Sequence, residues 1–426
     1  MNPGMSFEQA PPLHVPLRFF ITAAIFGIAA GLLLSLQGSG LITRWSGTSL
    51  AATHLMTTGF MLQVMLGALF QLTPVAIGIV IWHPRAVATW VHSCATLGGI
   101  LLPAAFLHGG STLYLIAGTL LALATLPFCG LLLVLLIQTS ATGEMLNAMR
   151  AAGVALAITV LFGLVLAASR AGILPPDWLL WTNLHIRFGW LGWGLLLLSG
   201  VSYQVVPMFQ LTPPYPALFR KGFLPGMLIL LLMAALSVKW LPLKPYVMAL
   251  ESCAVILFAG ITLDIQRRRR RRRTDTSFHF WRAALGSMLL AALIQFASLF
   301  LVLPPALEVN LGVLVLLGAF ASVMIGMLYK IVPFLIWLHL QRRGLKPLLM
   351  NQVINEKAMT IHLTIHILAL LLCLATPWYP LLAPVTGSMV SLSFAILLFN
   401  ILQGVVRYHR GLQHGTILKT QTTPTA

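Results

Sequence analysis

Two histidines stand at the start of long apolar runs: His54 in Thr53-His54-Leu-Met-Thr-Thr-Gly59, and His185 in Asn183-Leu-His185-Ile-Arg187-Phe-Gly189. An imidazole among lipid tails is costly unless it is hydrogen-bonded, paired or bound to a metal, so both positions are candidates for chemistry. Gly59 and Gly189 follow about one turn further on, leaving room for a flat macrocycle, and haem iron is held by histidines of this kind. A metal on His54 and His185 is one reading; two histidines hydrogen-bonded between helices is the plainer one. A second pair, His362 and His366, is spaced i, i+4 on one helical face. That spacing suits two ligands of one metal, with His92 as a further member, or hydrogen bonds between helices. Its depth differs from that of the first pair by on the order of 10 Å at 1.5 Å per residue, too far to share one iron.

Three charged residues fall inside apolar runs. Arg187 follows His185 by two positions and suits either an anion such as a haem propionate or the lipid headgroups. Lys330 lies near a span end, where snorkelling to the headgroups is expected. Glu251 falls well inside the hydrocarbon, as a protonated structural group or a proton-relay group. Cys94, Cys129, Cys253 and Cys373 have no paired spacing and read as small apolar core residues. No Walker loop, dinucleotide fingerprint or nucleophile elbow in context is present, so catalysis by protein side chains alone is not expected.

Membrane helices must position these groups. The chain has 426 residues, 59% of them hydrophobic, with only 26 Lys+Arg and 8 Asp+Glu, about a third of the charged share of a soluble domain. Together with a mean hydropathy of +0.94, this excludes a soluble globular enzyme. The runs are continuously apolar rather than alternating, which excludes a β-barrel. The expected fold is an all-α polytopic membrane protein of twelve spans: 17–38, 50–74, 86–107, 113–138, 150–172, 180–206, 222–241, 245–266, 279–303, 309–337, 358–377 and 381–405.

Loops on one side hold Arg85, Arg150, Arg220, Lys221, Arg267 to Arg273, Arg342, Arg343, Lys346 and Lys357, and the tail adds Arg407, Arg410 and Lys419; the other side holds only Arg44, Arg170, Lys239 and Lys244. This asymmetry places both termini in the cytoplasm and accounts for the net charge of +18 without nucleic acid. The run Arg267 to Arg273 is expected to meet anionic lipid headgroups. No basic n-region precedes the first span, so a cleaved signal peptide is not expected.

Spans 2, 6 and 10 carry Gly67-Ala-Leu-Phe70-Gln71-Leu-Thr-Pro74, Gly200-Val-Ser-Tyr203-Gln204-Val-Val-Pro207 and Gly326-Met-Leu-Tyr329-Lys330-Ile-Val-Pro333. All three read Gly-x-x-aromatic-polar-x-x-Pro, a pattern expected by chance about 0.14 times at this composition. The copies are 133 and 126 residues apart, so four spans form one repeat. One integral membrane domain of three pseudo-symmetric four-helix arcs follows, over 17–138, 150–266 and 279–405, with a tail at 406–426. Offsets of 3, 4 and 7 share one helix face, and each proline is expected to stop its helix near the inner boundary.

Twelve spans in three arcs, a histidine early in span 2 and the Gly67…Phe70-Gln71…Pro74 ending resemble the haem-copper oxidase subunit I superfamily and its shorter NnrS-like relatives. The resemblance implies that His54 is an axial ligand of a low-spin haem and that His185 stands where the oxidases carry a copper ligand. Two departures accompany it. Residues 309–318 lack the His-x-His pair of span 10, and residues 223–233 lack the adjacent histidines of span 7. The resemblance therefore implies a membrane haem or haem-copper protein that is not a conventional terminal oxidase. Its expected work is electron transfer with a redox partner, nitric oxide handling or metal homeostasis in a bacterial inner membrane. The alternative from another class is a cofactor-free multi-pass transporter or respiratory-complex assembly factor.

Overall fold

The computed structural model describes residues 9–175, 177–270, 273–345 and 348–414. Lys346, Lys419, Arg271 and Arg272, named above for their charge, lie outside the described residues. Among the described residues, twelve helical segments are long and apolar enough to cross a membrane, and no strand is formed. They are α1 (His14–Gly40), α2 (Gly47–Val75), α3 (Pro84–His108), α4 (Ser111–Gln138), α5 (Glu144–Arg170), α6 (Leu179–Gln210), α7 (Ala217–Leu236), α8 (Leu241–Arg267), α9 (Thr276–Ala297), α10 (Pro305–Gln341), α11 (Glu356–Ala375) and α12 (Pro380–Gln413). A run of about 20 apolar residues in lipid has to satisfy its own backbone, and a helix does so within the segment.

The three spans that carry the repeat are the interior ones. α2, α6 and α10 have 78%, 67% and 67% of their most apolar window buried, against 33–50% for the other nine. Each also departs from α-geometry at the same place: π-helical turns run over Leu55–Met61, Phe188–Leu195 and Leu314–Ala321. All three begin twelve residues before the repeated glycines Gly67, Gly200 and Gly326. A π-turn takes one extra residue and loosens the backbone hydrogen bonds, and such turns concentrate at functional sites.

The prolines do not end these helices as expected. Helix continues to Ile77 after Pro74, to Gln210 after Pro207 and to Gln341 after Pro333. A proline removes one N–H and crowds one carbonyl, which a helix supported by neighbours on every side tolerates. α2 stops instead at Gly78, whose φ of +74° lets its N–H reach the Pro74 carbonyl at 3.1 Å.

Small residues set the closest approaches, as expected where packing rather than water drives association. The first and last spans lie against each other, with Gly31 of α1 and Gly387 of α12 meeting backbone to backbone; a Cβ on Gly387 would fall 2.0 Å from the Ser35 nitrogen. Gly194 of α6 gives the same room to Phe320 of α10. At the end rich in arginine, Arg220 pairs with Glu144 at 3.1 Å and Lys330 with Asp275 at 2.6 Å. Lys330 thus turns to the N-terminus of α9, where Asp275 also caps the Phe278 N–H, instead of reaching for headgroups. Arg268 pairs with Asp264 one turn back, and Arg269 lies over the Phe278 ring at 4.2 Å, so part of the arginine run is bound within the protein. Cys94, Cys129 and Cys373 are buried as expected, whereas Cys253 faces outward.

Candidate functional site

His54 is the last residue before the π-turn of α2, in a segment whose start is capped by Ser46 accepting from the Ser49 N–H. Its Nδ1 lies 2.8 Å from the Leu50 carbonyl, and the Nδ1 of His185 lies 2.9 Å from the Thr159 carbonyl on α5. A carbonyl only accepts, so each Nδ1 carries the proton and each Nε2 keeps its lone pair. No hydrogen-bond partner meets either Nε2 among the described residues. The two rings lie near-parallel, with centroids 6.4 Å apart and planes 22° apart. Phe106 of α3 covers the outer side of His54 at 4.9 Å, and Gly163 of α5 makes room for His185.

Two axial imidazoles on one metal would set their ring centres about 6 Å apart, since each bond is about 2 Å and each nitrogen sits about 1 Å from its ring centre. The 6.4 Å between the two ring centres is of that size, and each ring keeps one nitrogen free of a hydrogen-bond partner among the described residues. Anchoring the distal ring nitrogen to a backbone carbonyl is also the usual support of a metal-bound histidine. The glycines behave differently from expectation. The space beside Gly59 is filled by the Phe26 ring, which a Cβ would approach to 2.5 Å, and Gly189 receives the Thr159 methyl at 3.2 Å. Neither leaves an open slot for a macrocycle; both let a neighbouring helix close in.

Arg187 takes neither role anticipated for it. Its Nε donates to Glu251 of α8 at 2.7 Å, and Gln295 of α9 donates to the other carboxylate oxygen at 2.9 Å. Both side chains are sequestered, at 14% and 6% exposure. Positions i and i+2 point to nearly opposite sides of a helix, so α6 turns His185 toward α2 while its far face is held by this ionic triad.

His362 and His366 form a separate, fully buried chain of hydrogen bonds. Asn400 Nδ2 donates to the Tyr329 hydroxyl at 2.8 Å, and that hydroxyl lies 2.5 Å from His362 Nδ1. Ser393 Oγ bridges His362 Nε2 at 3.0 Å and His366 Nδ1 at 3.1 Å, and His366 Nε2 meets Ser322 Oγ at 3.0 Å. All four ring nitrogens are occupied, which leaves none for a metal in this arrangement. His92 is not part of it, since its Nε2 meets Thr22 at 2.8 Å and its ring edges onto Phe19. Among the described residues no three His, Cys, Asp or Glu side chains gather at one point.

Sequence reasoning missed Tyr329, Ser322, Ser393 and Asn400 as members of this chain. Ser322–Tyr329 and Ser393–Asn400 are each spaced by seven and share a helix face, a periodicity that marks them once a partner for His362 is sought. Phe106, Thr159 and Gln295 carry no sequence signal at all. The sequence matches no family model and no curated protein.

Proposed function

We propose that the protein is a membrane haem protein of oxidase-like fold, its three repeats arranged as arcs around α2, α6 and α10, in which His54 and His185 are the residues that would hold the iron. Its setting is a bacterial inner membrane with both termini cytoplasmic, and its work is electron transfer, nitric oxide handling or metal homeostasis. One observation carries the reading: two imidazoles, each anchored at Nδ1, with ring centres 6.4 Å apart and both Nε2 atoms unpartnered among the described residues. The absence of histidine from 309–318 and 223–233 argues against oxygen reduction.

Haem iron supplies reversible one-electron chemistry when bound. The chain's own residues hold both imidazoles with the proton on Nδ1 through the Leu50 and Thr159 carbonyls, cover His54 with Phe106 and fix the rotation of α6 through Arg187 and Glu251. The same two nitrogens suit a linear copper(I) ion.

The test is a dithionite-reduced minus oxidised spectrum of the detergent-purified protein, with iron and copper measured on the same sample. A Soret band, sharp reduced α-bands and about one iron per chain support the reading. A colourless, metal-free protein from haem-replete cells overturns it. That outcome favours the second reading, a cofactor-free transporter or assembly factor. Its supporting observation is the buried Arg187–Glu251 pair beside a π-turn, because paired charges and irregular helices inside the bilayer line transport pathways.

A further inference from the structure

At the arginine-rich end, α1 and α3 flank an open depression lined by Arg85, Ala86, Thr89, Trp90 and Ser93. Arg18 of α1 reaches Thr89, one of the lining residues. One guanidinium nitrogen donates to Thr89 Oγ1 at 2.7 Å and another to the His14 carbonyl at 3.3 Å, leaving further N–H groups uncommitted among the described residues. None of the ion pairs among the described residues includes Arg18 or Arg85. One guanidinium thus lines the hollow and a second, from another helix, bonds to its lining Thr89, with no ion-pair partner for either among the described residues, and Arg85 adds its charge at the positive end of α3.

The face of α3 changes character in a fixed order away from that end. Arg85, Thr89, Ser93 and Leu97 follow at intervals of four, all exposed, and Ile100 continues the apolar surface. Trp90 stands beside them, half exposed, its Nε1 held by the Leu123 carbonyl of α4 at 3.0 Å. Charge, hydroxyl, hydroxyl and hydrocarbon succeed one another over about 18 Å of helix. That is the order of a phospholipid's own parts: phosphate, glycerol ester and acyl chain. A hydroxyl turned toward lipid needs an acceptor, and an ester carbonyl at this depth provides one for Ser93.

We infer that the depression between α1 and α3 is a binding site for an anionic phospholipid, its phosphate held by Arg18 and Arg85 and its chains lying along Trp90, Leu97 and Ile100. The site is independent of the metal reading and separate from the arginine run after α8.

The full-length protein is reconstituted in phosphatidylcholine vesicles containing either brominated phosphatidylglycerol or brominated phosphatidylcholine. Quenching assigned to Trp90 is obtained by difference from Trp90→Phe. The expected result is that half-quenching needs about tenfold less phosphatidylglycerol than phosphatidylcholine, and that Arg18→Gln/Arg85→Gln removes this preference while Arg343→Gln keeps it. The two single variants, each losing part of the preference, serve the same purpose where the double variant does not fold. Equal quenching by the two lipids in the natural protein overturns the proposal, as does a preference that survives loss of both arginines. A Trp90 response to micromolar inorganic phosphate in neutral vesicles, unmatched by phosphatidylglycerol, assigns the hollow to a soluble anion and overturns it as well.

Discussion

A buried imidazole has two nitrogens, and where each one goes separates the histidines of this protein. His362 and His366 spend all four on hydroxyl groups, so their chemistry is internal. His54 and His185 spend one each on a carbonyl and leave the other without a hydrogen-bond partner among the described residues. Two outcomes at the residue scale follow. Replacing His54 or His185 by Ala removes the Soret band and the iron while the protein still inserts in the membrane; an unaltered spectrum in His54→Ala sinks the axial assignment. Ser393→Ala leaves His362 and His366 each short of a partner in an apolar interior, at a cost of about 1–3 kcal/mol. It lowers the melting temperature in detergent and leaves the visible spectrum unchanged.

Among the helices, α6 carries the most constraint. It places His185 on one face and Arg187 on the other, immediately before a π-turn, and the Arg187–Glu251–Gln295 triad ties it to α8 and α9. Removing one partner from a buried ion pair leaves an uncompensated charge, worth about 3–5 kcal/mol. Glu251→Gln is therefore expected to destabilise the protein strongly in a detergent thermal melt, and Arg187→Gln/Glu251→Gln to recover part of the loss. A double variant as unstable as the single one would show that the charge is not the cause. The contact of α1 with α12 is the other tight point. Gly387→Val drives a side chain into the backbone of Ser35 and Gly31, and is expected to abolish a monodisperse fold in size-exclusion chromatography, whereas Gly260→Ala, with open space around it, is tolerated.

At the scale of the whole molecule, the described residues form twelve helices long and apolar enough to cross a membrane, an even number. Reporter fusions that are active only in the cytoplasm are expected to be active at both ends of the chain; activity at one end alone would contradict the count. The three spans that carry the repeat are the most buried ones and meet one another at or just before their π-turns. α2 reaches α6 through His54 and His185, α6 reaches α10 through Trp190 and Phe320 at 5.7 Å, and the π-turns of α2 and α10 touch directly. The two histidines of the candidate metal site thus belong to two of these three interior spans, α2 and α6.

The amino-acid sequence determined the helices, their number and the threefold recurrence, because an apolar run of bilayer length has one way to satisfy its backbone and a glycine–aromatic–proline pattern repeats visibly along the chain. It also singled out His54 and His185, since polar groups in lipid are conspicuous. Only the tertiary structure decided what each polar group meets. Glu251 is 64 residues from Arg187, Ser393 is 31 from His362, and Phe26 fills the space beside Gly59 from another span. Spacing along one helix fixes which side chains share a face, but the partner across the gap belongs to a different helix, chosen by how the small residues of the interior let the spans close on one another.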